Sequence, residues 1–296
     1  MKKTLAILAA LLMLGACTKD LEMDFDDIEP QVVAMSCVEP DSTLMLRLTY
    51  SRFFLSDRPF RTIDDATASL TVNGTVTEEV VAAAGGNYGF AYRPQPGDRL
   101  DLRVSVPGRD AVSASTTVPH PASLANLRAS LISHDQYDCT YSVRFTLDDP
   151  ADEDNFYIIR VINHRHYSDE YGNHDRDAYC RFSCNDYLLT EGIDLGSLLD
   201  GDNPGEYYGG EFFFTDGNIN GLSHEVELLC STENEAPELY LVITSCSRDR
   251  YLYEFSTRSH DDDIFGEPMQ VHCNIDGGIG IFAARSRSVL PIPLQQ

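Results

Sequence analysis

The stretch RLDLRVSVPGRDAVSASTTV, residues 99–118, holds two runs of strict alternation around one turn. Leu100, Leu102, Val104 and Val106 alternate with Asp101, Arg103 and Ser105; beyond Pro107-Gly108, Val112, Ala114, Thr116 and Val118 repeat the rule. Successive side chains of a strand point to opposite faces, so a period of two puts one face on a core and the other in water. Half-buried antiparallel strands carry this pattern, and it sets an all-β class.

Working outward, Leu44, Leu46, Leu48 and Tyr50 alternate with Met45, Arg47 and Thr49. Asn73-Gly74, Gly85-Gly86-Asn87 and Pro96-Gly97-Asp98 are turn signals between short runs. About seven strands over 31–120 predict an Ig-like or transthyretin-like β-sandwich. Pro119-His120-Pro121 marks a boundary, because prolines cannot join a central ladder. Residues 121–296 then read as a second β-rich domain, its clearest strands at 137–147, 155–163, 210–215, 224–230 and 239–245. One short helix is expected over 248–257, with Ser247 as its cap and Tyr251, Leu252 and Phe255 on one face.

The N-terminus has a different logic. Lys2 and Lys3 precede an uncharged run whose apolar part, Leu5 to Leu14, is half the roughly 20 residues that a membrane-spanning helix needs. It fits the h-region of a secretory signal. Leu14-Gly15-Ala16-Cys17 resembles the bacterial lipobox. The resemblance implies lipid transfer to the Cys17 thiol, cleavage after Ala16 (a signal peptide of residues 1–16) and acylation of the new amino terminus. Two or three chains anchor stably where a single one does not, at about 0.8 kcal/mol per buried CH₂. Residues 17–30 follow as an acidic tether: Asp20, Glu22, Asp24, Asp26, Asp27 and Glu29 against Lys19 alone have too little apolar content for a core. Its reach is at most about 43 Å. The Lys19-Asp20 pair and the acids after it look like the surface-export signal of Bacteroidetes lipoproteins, with Leu21 as an interruption.

The formal charge of −25 removes nucleic acid from the partners, since that role needs a basic face. Seven cysteines follow Cys17: Cys37, Cys139, Cys180, Cys184, Cys230, Cys246 and Cys273. In an oxidising exterior some are expected to pair, and the odd number leaves at least one without an intrachain partner. Cys139 is in phase with Tyr141, Val143 and Phe145, hence on a core face. Cys230 and Cys246 end consecutive strands and are expected at opposite ends of one antiparallel ladder.

Several phrases look like one family: Asp149-Pro150-Ala151-Asp152-Glu153-Asp154-Asn155-Phe156-Tyr157; Phe214-Thr215-Asp216 with Asn220-Gly221; and Glu267-Pro268 followed by Asn274-Ile275-Asp276-Gly277-Gly278-Ile279-Gly280-Ile281-Phe282. With Gly86-Asn87-Tyr88 and the lipobox, they resemble a Bacteroidetes outer-membrane lipoprotein family classed as a domain of unknown function, number forty-two forty-nine. That resemblance runs from about Cys17 to Ala284. It implies a lipid-anchored outer-membrane protein, often encoded beside a TonB-dependent receptor, and brings no catalytic residue. The glycine phrase itself reads as a tight bulge entering a final core strand.

Four groups of residues are candidates for chemistry. His164, His166, His174, Cys180 and Cys184 hold zinc-type donors in NHRHYSDEYGNHDRDAYCRFSC, residues 163–184, at no standard zinc spacing. A tyrosine-rich polar loop with a disulfide is the preferred reading, and no metal is assigned. Asp148-Asp149 with Asp152, Glu153 and Asp154, and Asp261-Asp262-Asp263, offer carboxylates for calcium without an EF-hand pattern; solvated loops are preferred. Gly221-Leu222-Ser223-His224-Glu225 lacks the second glycine of a nucleophile elbow and the second histidine of a zinc-protease helix. The absence of tryptophan weakens a sugar platform, leaving Tyr167, Tyr171, Tyr179, Tyr207 and Tyr208 as aromatic substitutes. No catalytic, cofactor-binding or metal residue is therefore assigned, and Cys17 alone receives a chemical role. The expected function is a non-enzymatic binding or accessory module. Its expected partners are membrane lipid, through the Cys17 acyl chains, and a TonB-dependent receptor barrel, with the ligand open. An adhesin or fimbria-like structural subunit is the alternative. Cys17→Ser is expected to release the protein from membranes or leave the precursor uncut; normal processing with retained membrane attachment, read by fractionation and intact mass, would overturn the lipobox reading.

Overall fold

The computed structural model describes residues 29–53, 59–81, 85–134, 138–169, 172–190, 207–233, 237–258 and 270–295. Residues 1–28, which carry the expected signal, Cys17 and most of the expected tether, lie outside the described residues, as do Tyr171, Asp261-Asp262-Asp263 and Glu267-Pro268.

Strands β1 (Val32–Val38), β2 (Leu44–Tyr50), β3 (Thr67–Val72), β4 (Thr75–Val81), β5 (Asn87–Phe90), β6 (Arg99–Ser105) and β7 (Val112–Thr117) precede the double proline. After it come β8 (Ser123–His134), β9 (Cys139–Asp148), β10 (Phe156–Asp169), β11 (Gly172–Cys180) and β12 (Phe182–Cys184), then the short helix α1 (Tyr187–Thr190). The rest are β13 (Tyr207–Gly209), β14 (Phe212–Thr215), β15 (Ser223–Thr232), β16 (Glu238–Cys246), helix α2 (Arg248–Arg258), β17 (Ile279–Pro291) and β18 (Leu294–Gln295).

They form three sheets. One has the order β11-β10-β16-β17-β1-β2-β5, with β14 also paired to β10; the others are β13-β12-β15-β9-β8-β18 and β4-β3-β6-β7. The alternation at residues 44–50 and 99–118 becomes burial: Leu46, Leu48, Leu70, Leu102 and Val104 meet in a first core. Val143, Phe145, Ile159, Val161, Val226, Leu228 and Leu241 build a second. Each fully buried side chain of this kind contributes about 1.5–3 kcal/mol relative to exposure. The architecture is two β-sandwiches, and the longest sheet supplies a wall to both.

That sharing is the work of β17. Its first half pairs parallel with β1, Ile279 against Val33 through Ala284 against Val38. Its second half pairs antiparallel with β16, Arg285 against Cys246 through Pro291 against Tyr240. The double proline falls between β7 and β8, and the two cores divide there with one exchange: Ile275, Phe282 and Ala284, from the far end of the chain, pack into the first.

The glycine phrase makes this docking possible. A Cβ on Gly280, whose φ is +121°, would overlap the carbonyl oxygen of Ala34, and one on Gly278 would lie 2.7 Å from that of Val32. Asn274 braces the same turn, its Nδ2 donating to the Phe282 carbonyl at 2.8 Å and its Oδ1 accepting from the Phe282 N–H at 2.9 Å. Asp276 exchanges two backbone hydrogen bonds with Ser113 of β7, at 2.8 and 3.1 Å, so the phrase also holds the opposite sheet.

Helix α2 forms where its cap predicts. The Arg250 N–H donates to Ser247 Oγ at 3.4 Å, and Ser247 Oγ also accepts from the Ala284 N–H at 3.1 Å. Tyr251 and Phe255 pack against Phe213, and Tyr251 lies 5.3 Å from Phe156, ring centre to ring centre.

Two expectations need correction. Consecutive strands β15 and β16 do not pair: they belong to different sheets, so Cys230 sits in the second core while Cys246 lies beside α2 on the shared sheet. Residues 172–184 are strands β11 and β12 rather than a polar loop. No disulfide joins the seven described cysteines, and Cys139 lies on a core face as its phase requires.

The glycine docking yields a paired test. Gly74 also has positive φ, but a Cβ there meets nothing. Gly74→Ala is expected to cost about 1–2 kcal/mol from backbone conformation alone. Gly280→Ala adds overpacking and is expected to cost about 3 kcal/mol or more. Urea midpoints measured at unchanged slope check the difference.

Candidate functional site

The outward face of β10 is covered at one end and open at the other. Tyr157, Ile159 and Val161 point into the second core; Phe156, Ile158, Arg160, Ile162, His164 and His166 share the other face by parity. Phe156 lies under Tyr251 of α2. Arg160 pairs with Glu211 and, at 3.7 Å, with Glu254 of α2. Beyond Arg160 and Ile162 the same face presents two histidines.

Register supplies their neighbours. On one side β11 sets Asp177 against His164 and Asp175 against His166, both symmetric about the Asp169–Gly172 pair. On the other side β16 sets Glu238 against His164. His164 Nδ1 shares a 2.6 Å hydrogen bond with Asp177 Oδ1, and His166 Nδ1 a 2.6 Å bond with Asp175 Oδ1. His166 Nε2 is 3.3 Å from Glu238 Oε2. The imidazole rings stand edge to face, their centres 4.7 Å apart. One donor atom from each of His164, His166 and Asp175 lies within 4.8 Å of the others, the one such grouping among the described residues. The His164 side chain is 26% exposed and that of His166 65%.

The electrostatics follow from these contacts. The Asp175 hydrogen bond raises the His166 pKa above its usual value, with Glu238 adding to it. The Tyr240 hydroxyl donates to Glu238 Oε1 at 2.5 Å and, with His166, lowers the Glu238 carboxyl below the ordinary carboxylate range. Two imidazoles thus face three carboxylates on an open sheet surface.

The five residues singled out in the sequence divide by parity. His164 and His166 come together. His174 lies opposite position 167, on the other face of the hairpin. Cys180 and Cys184 are buried in the second core, where burial pushes the Cys184 thiol up to about 11 and Cys180 and Cys230 are hydrogen-bonded neighbours. Asp175, Asp177, Glu238 and Tyr240 join the two histidines only through strand pairing. The signal for the first two was present as a second period-two run, Asp175, Asp177 and Tyr179, mirrored on His166, His164 and Ile162.

The acidic turn before β10 has its own partners. Asp149, buried, accepts from the Tyr157 hydroxyl at 2.7 Å and the Gly221 N–H at 3.2 Å, and burial raises its pKa. Asp216, also buried, accepts from the Asn155 N–H at 2.8 Å, and Asp148 accepts from Ser223. These carboxylates brace the turn between β9 and β10 against the segment after β14. His224 is held by Asp186 at 2.5 Å. Tyr179 and Tyr208 are exposed on different sheets. A cleft of about 350 Å³ lies where β7, the Glu153–Phe156 turn and the start of α2 meet, with Arg99, Arg248, Glu153, Asp154 and Asp249 on its walls.

No curated protein matches the chain in sequence. Among solved structures, a two-domain fibronectin type-III segment of chicken tenascin aligns over 74% of this chain and 91% of its own at 10% identity and a TM-score of 0.22. A Salmonella alpha-2-macroglobulin mutant aligns over 90% of this chain and 15% of its own at 15% identity and a TM-score of 0.24. The collagen adhesin of S. aureus aligns over 89% and 93% at 10% identity and a TM-score of 0.18. These overlaps are too loose to align the sheets strand by strand, and the assignment of two sandwiches rests on the pairings given above. The family model described as Domain of unknown function (DUF4249) matches residues 18–289, nearly the whole chain after Cys17, and the protein belongs to that family.

Proposed function

We propose that this protein is a non-catalytic binding or accessory module, lipid-anchored at the outer membrane and facing outward, that serves a TonB-dependent nutrient uptake system. The observation that carries the proposal is the order of the N-terminus: an uncharged run, Leu14-Gly15-Ala16-Cys17, six acids, and then β1. An acylated Cys17 would hold the chain at a membrane, and an extended acidic tether would hold the sandwiches off it.

The fold suits a tethered module. β1 lies inside the longest sheet, with β17 on one side and β2 on the other. A pull applied through the tether is therefore shared by two ladders. Binding surfaces are available at the cleft by Arg99 and Arg248, whose volume falls within the range of about 300–1,000 Å³ common for small-ligand sites. The histidine–carboxylate face of β10 and β11 is a second surface.

Affinity purification of the full-length, tagged chain from detergent-solubilised membranes tests the reading. A TonB-dependent barrel is expected to co-purify with the wild type, and less of it with Cys17→Ser. Recovery without any barrel would overturn the proposal. Detergent-resistant ladders of the chain itself would favour an adhesin or fimbria-like subunit instead.

A further inference from the structure

We propose that His164, His166 and Asp175 form a binding site for a divalent transition-metal ion of borderline softness, the class of Zn²⁺, Ni²⁺ and Cu²⁺. This goes beyond the module proposed above and holds whether or not a barrel partner exists.

The argument starts from the donor set. Imidazole nitrogen with carboxylate oxygen suits Zn²⁺, Cu²⁺ and Ni²⁺, whereas Ca²⁺ and Mg²⁺ take oxygen almost throughout. Donors around one tetrahedral ion with bonds of about 2.0–2.1 Å lie about 3.4 Å apart. The three donors here lie within 4.8 Å of one another, so the widest separation must close by about 1.5 Å at most, while the 2.6 Å hydrogen bond between His166 Nδ1 and Asp175 Oδ1 opens by about 1 Å as both atoms turn to the ion. The open His166 side chain has the freedom to make it.

The scaffold is preformed. All three side chains project from one face of a paired hairpin, and the ladder from Val161–Cys180 to Asp169–Gly172 fixes their spacing without help from the ion. An outer shell is present too. Asp177 holds His164 Nδ1 at 2.6 Å, which directs Nε2 of that ring outward, the arrangement in which carboxylates orient metal-binding histidines. Glu238, 3.3 Å from His166 Nε2 and held by Tyr240 through its other oxygen, orients the far nitrogen of that ring as a second outer-shell carboxylate and leaves Nδ1, on the Asp175 side, for the ion. Arg165 and Arg176 are paired across the ladder at positions of opposite parity, so their charges leave the face that the histidines occupy, and Arg160, on that face, is engaged by Glu211 and Glu254 toward α2.

Two simple His–Asp ion pairs are the competing account. Exposed pairs of that kind contribute little to stability and do not require neighbouring rings to converge. Here two such pairs stand side by side, with a third carboxylate from β16 closing the opposite flank. A divalent cation offsets that concentration of negative charge in a chain already at −25.

Isothermal titration of the full-length, detergent-solubilised chain, purified without a polyhistidine tag, is the test. The probes are Zn²⁺ and Ni²⁺ salts, with Ca²⁺ as the comparison. One equivalent of Zn²⁺ is expected to bind, and a hundredfold excess of Ca²⁺ is expected not to displace it. His164→Gln with His166→Gln should weaken binding more than tenfold, and Asp177→Asn about tenfold through loss of the outer shell. His174→Gln, on the opposite face, should leave affinity unchanged. Cu²⁺ bound to the wild type should show hyperfine coupling to two imidazole nitrogens by electron paramagnetic resonance. Circular dichroism checks that each variant is folded, which the exposure of these side chains predicts. Unchanged affinity in the double variant, equal loss in His174→Gln, displacement by Ca²⁺, or no uptake of Zn²⁺ at millimolar concentration would each overturn the proposal.

Discussion

One strand holds this protein together. β17 makes a parallel ladder with β1 and an antiparallel ladder with β16, so two sandwiches share an uninterrupted sheet. The contact joins Val33 to Ile279, nearly opposite ends of the described chain. The first core is incomplete until Phe282 and Ala284 arrive, because both are buried there. Such closure is non-local, and non-local pairing is the slow and entropically costly part of forming a sheet. The fold accepts that cost and in return commits its N-terminal and C-terminal segments to a common hydrogen-bonded centre.

The requirements of that contact explain the glycine phrase of residues 274–282. Gly278 and Gly280 let two backbones approach more closely than any side chain would permit, and Asn274 replaces a strand by bonding both backbone groups of Phe282. Asp149 and Asp216 do comparable work at the other acidic phrase, each satisfying backbone or hydroxyl donors at a buried turn. An unpaired carboxylate there would carry a heavy desolvation cost, and the hydrogen bonds offset it. These phrases are therefore instructions for folding. The histidine–carboxylate cluster lies elsewhere, toward the far end of β10, where His166 is exposed to solvent.

How much of this was legible depended on which physical signal each segment carried. Leu44 to Tyr50 and residues 99–118 announce themselves, because one face of each strand is buried and the other is not. Strand β11 was hidden because both of its faces are polar beyond the core: Asp175, Arg176 and Asp177 alternate in charge, not in hydropathy. His164 and His166, two apart, were readable as sharing a face. Their acidic partners were not, since Asp175 and Asp177 reach them through the hairpin register and Glu238 through a strand more than 70 residues away. Cys180 and Cys184 resemble metal donors on paper and prove to be core residues, because parity turns them inward.

By itself the sequence determined the all-β class, the seven strands before the double proline, the capped helix and the family, since each depends on local periodicity, turn chemistry or a short phrase. Only the tertiary structure decided that β15 and β16 part company, that β17 bridges two cores, and that two histidines and three carboxylates converge on one face. The reason is physical. Local patterns state which face of a strand is apolar, while the neighbour of each strand is chosen by closing long loops over a core that exists only once the whole chain is folded.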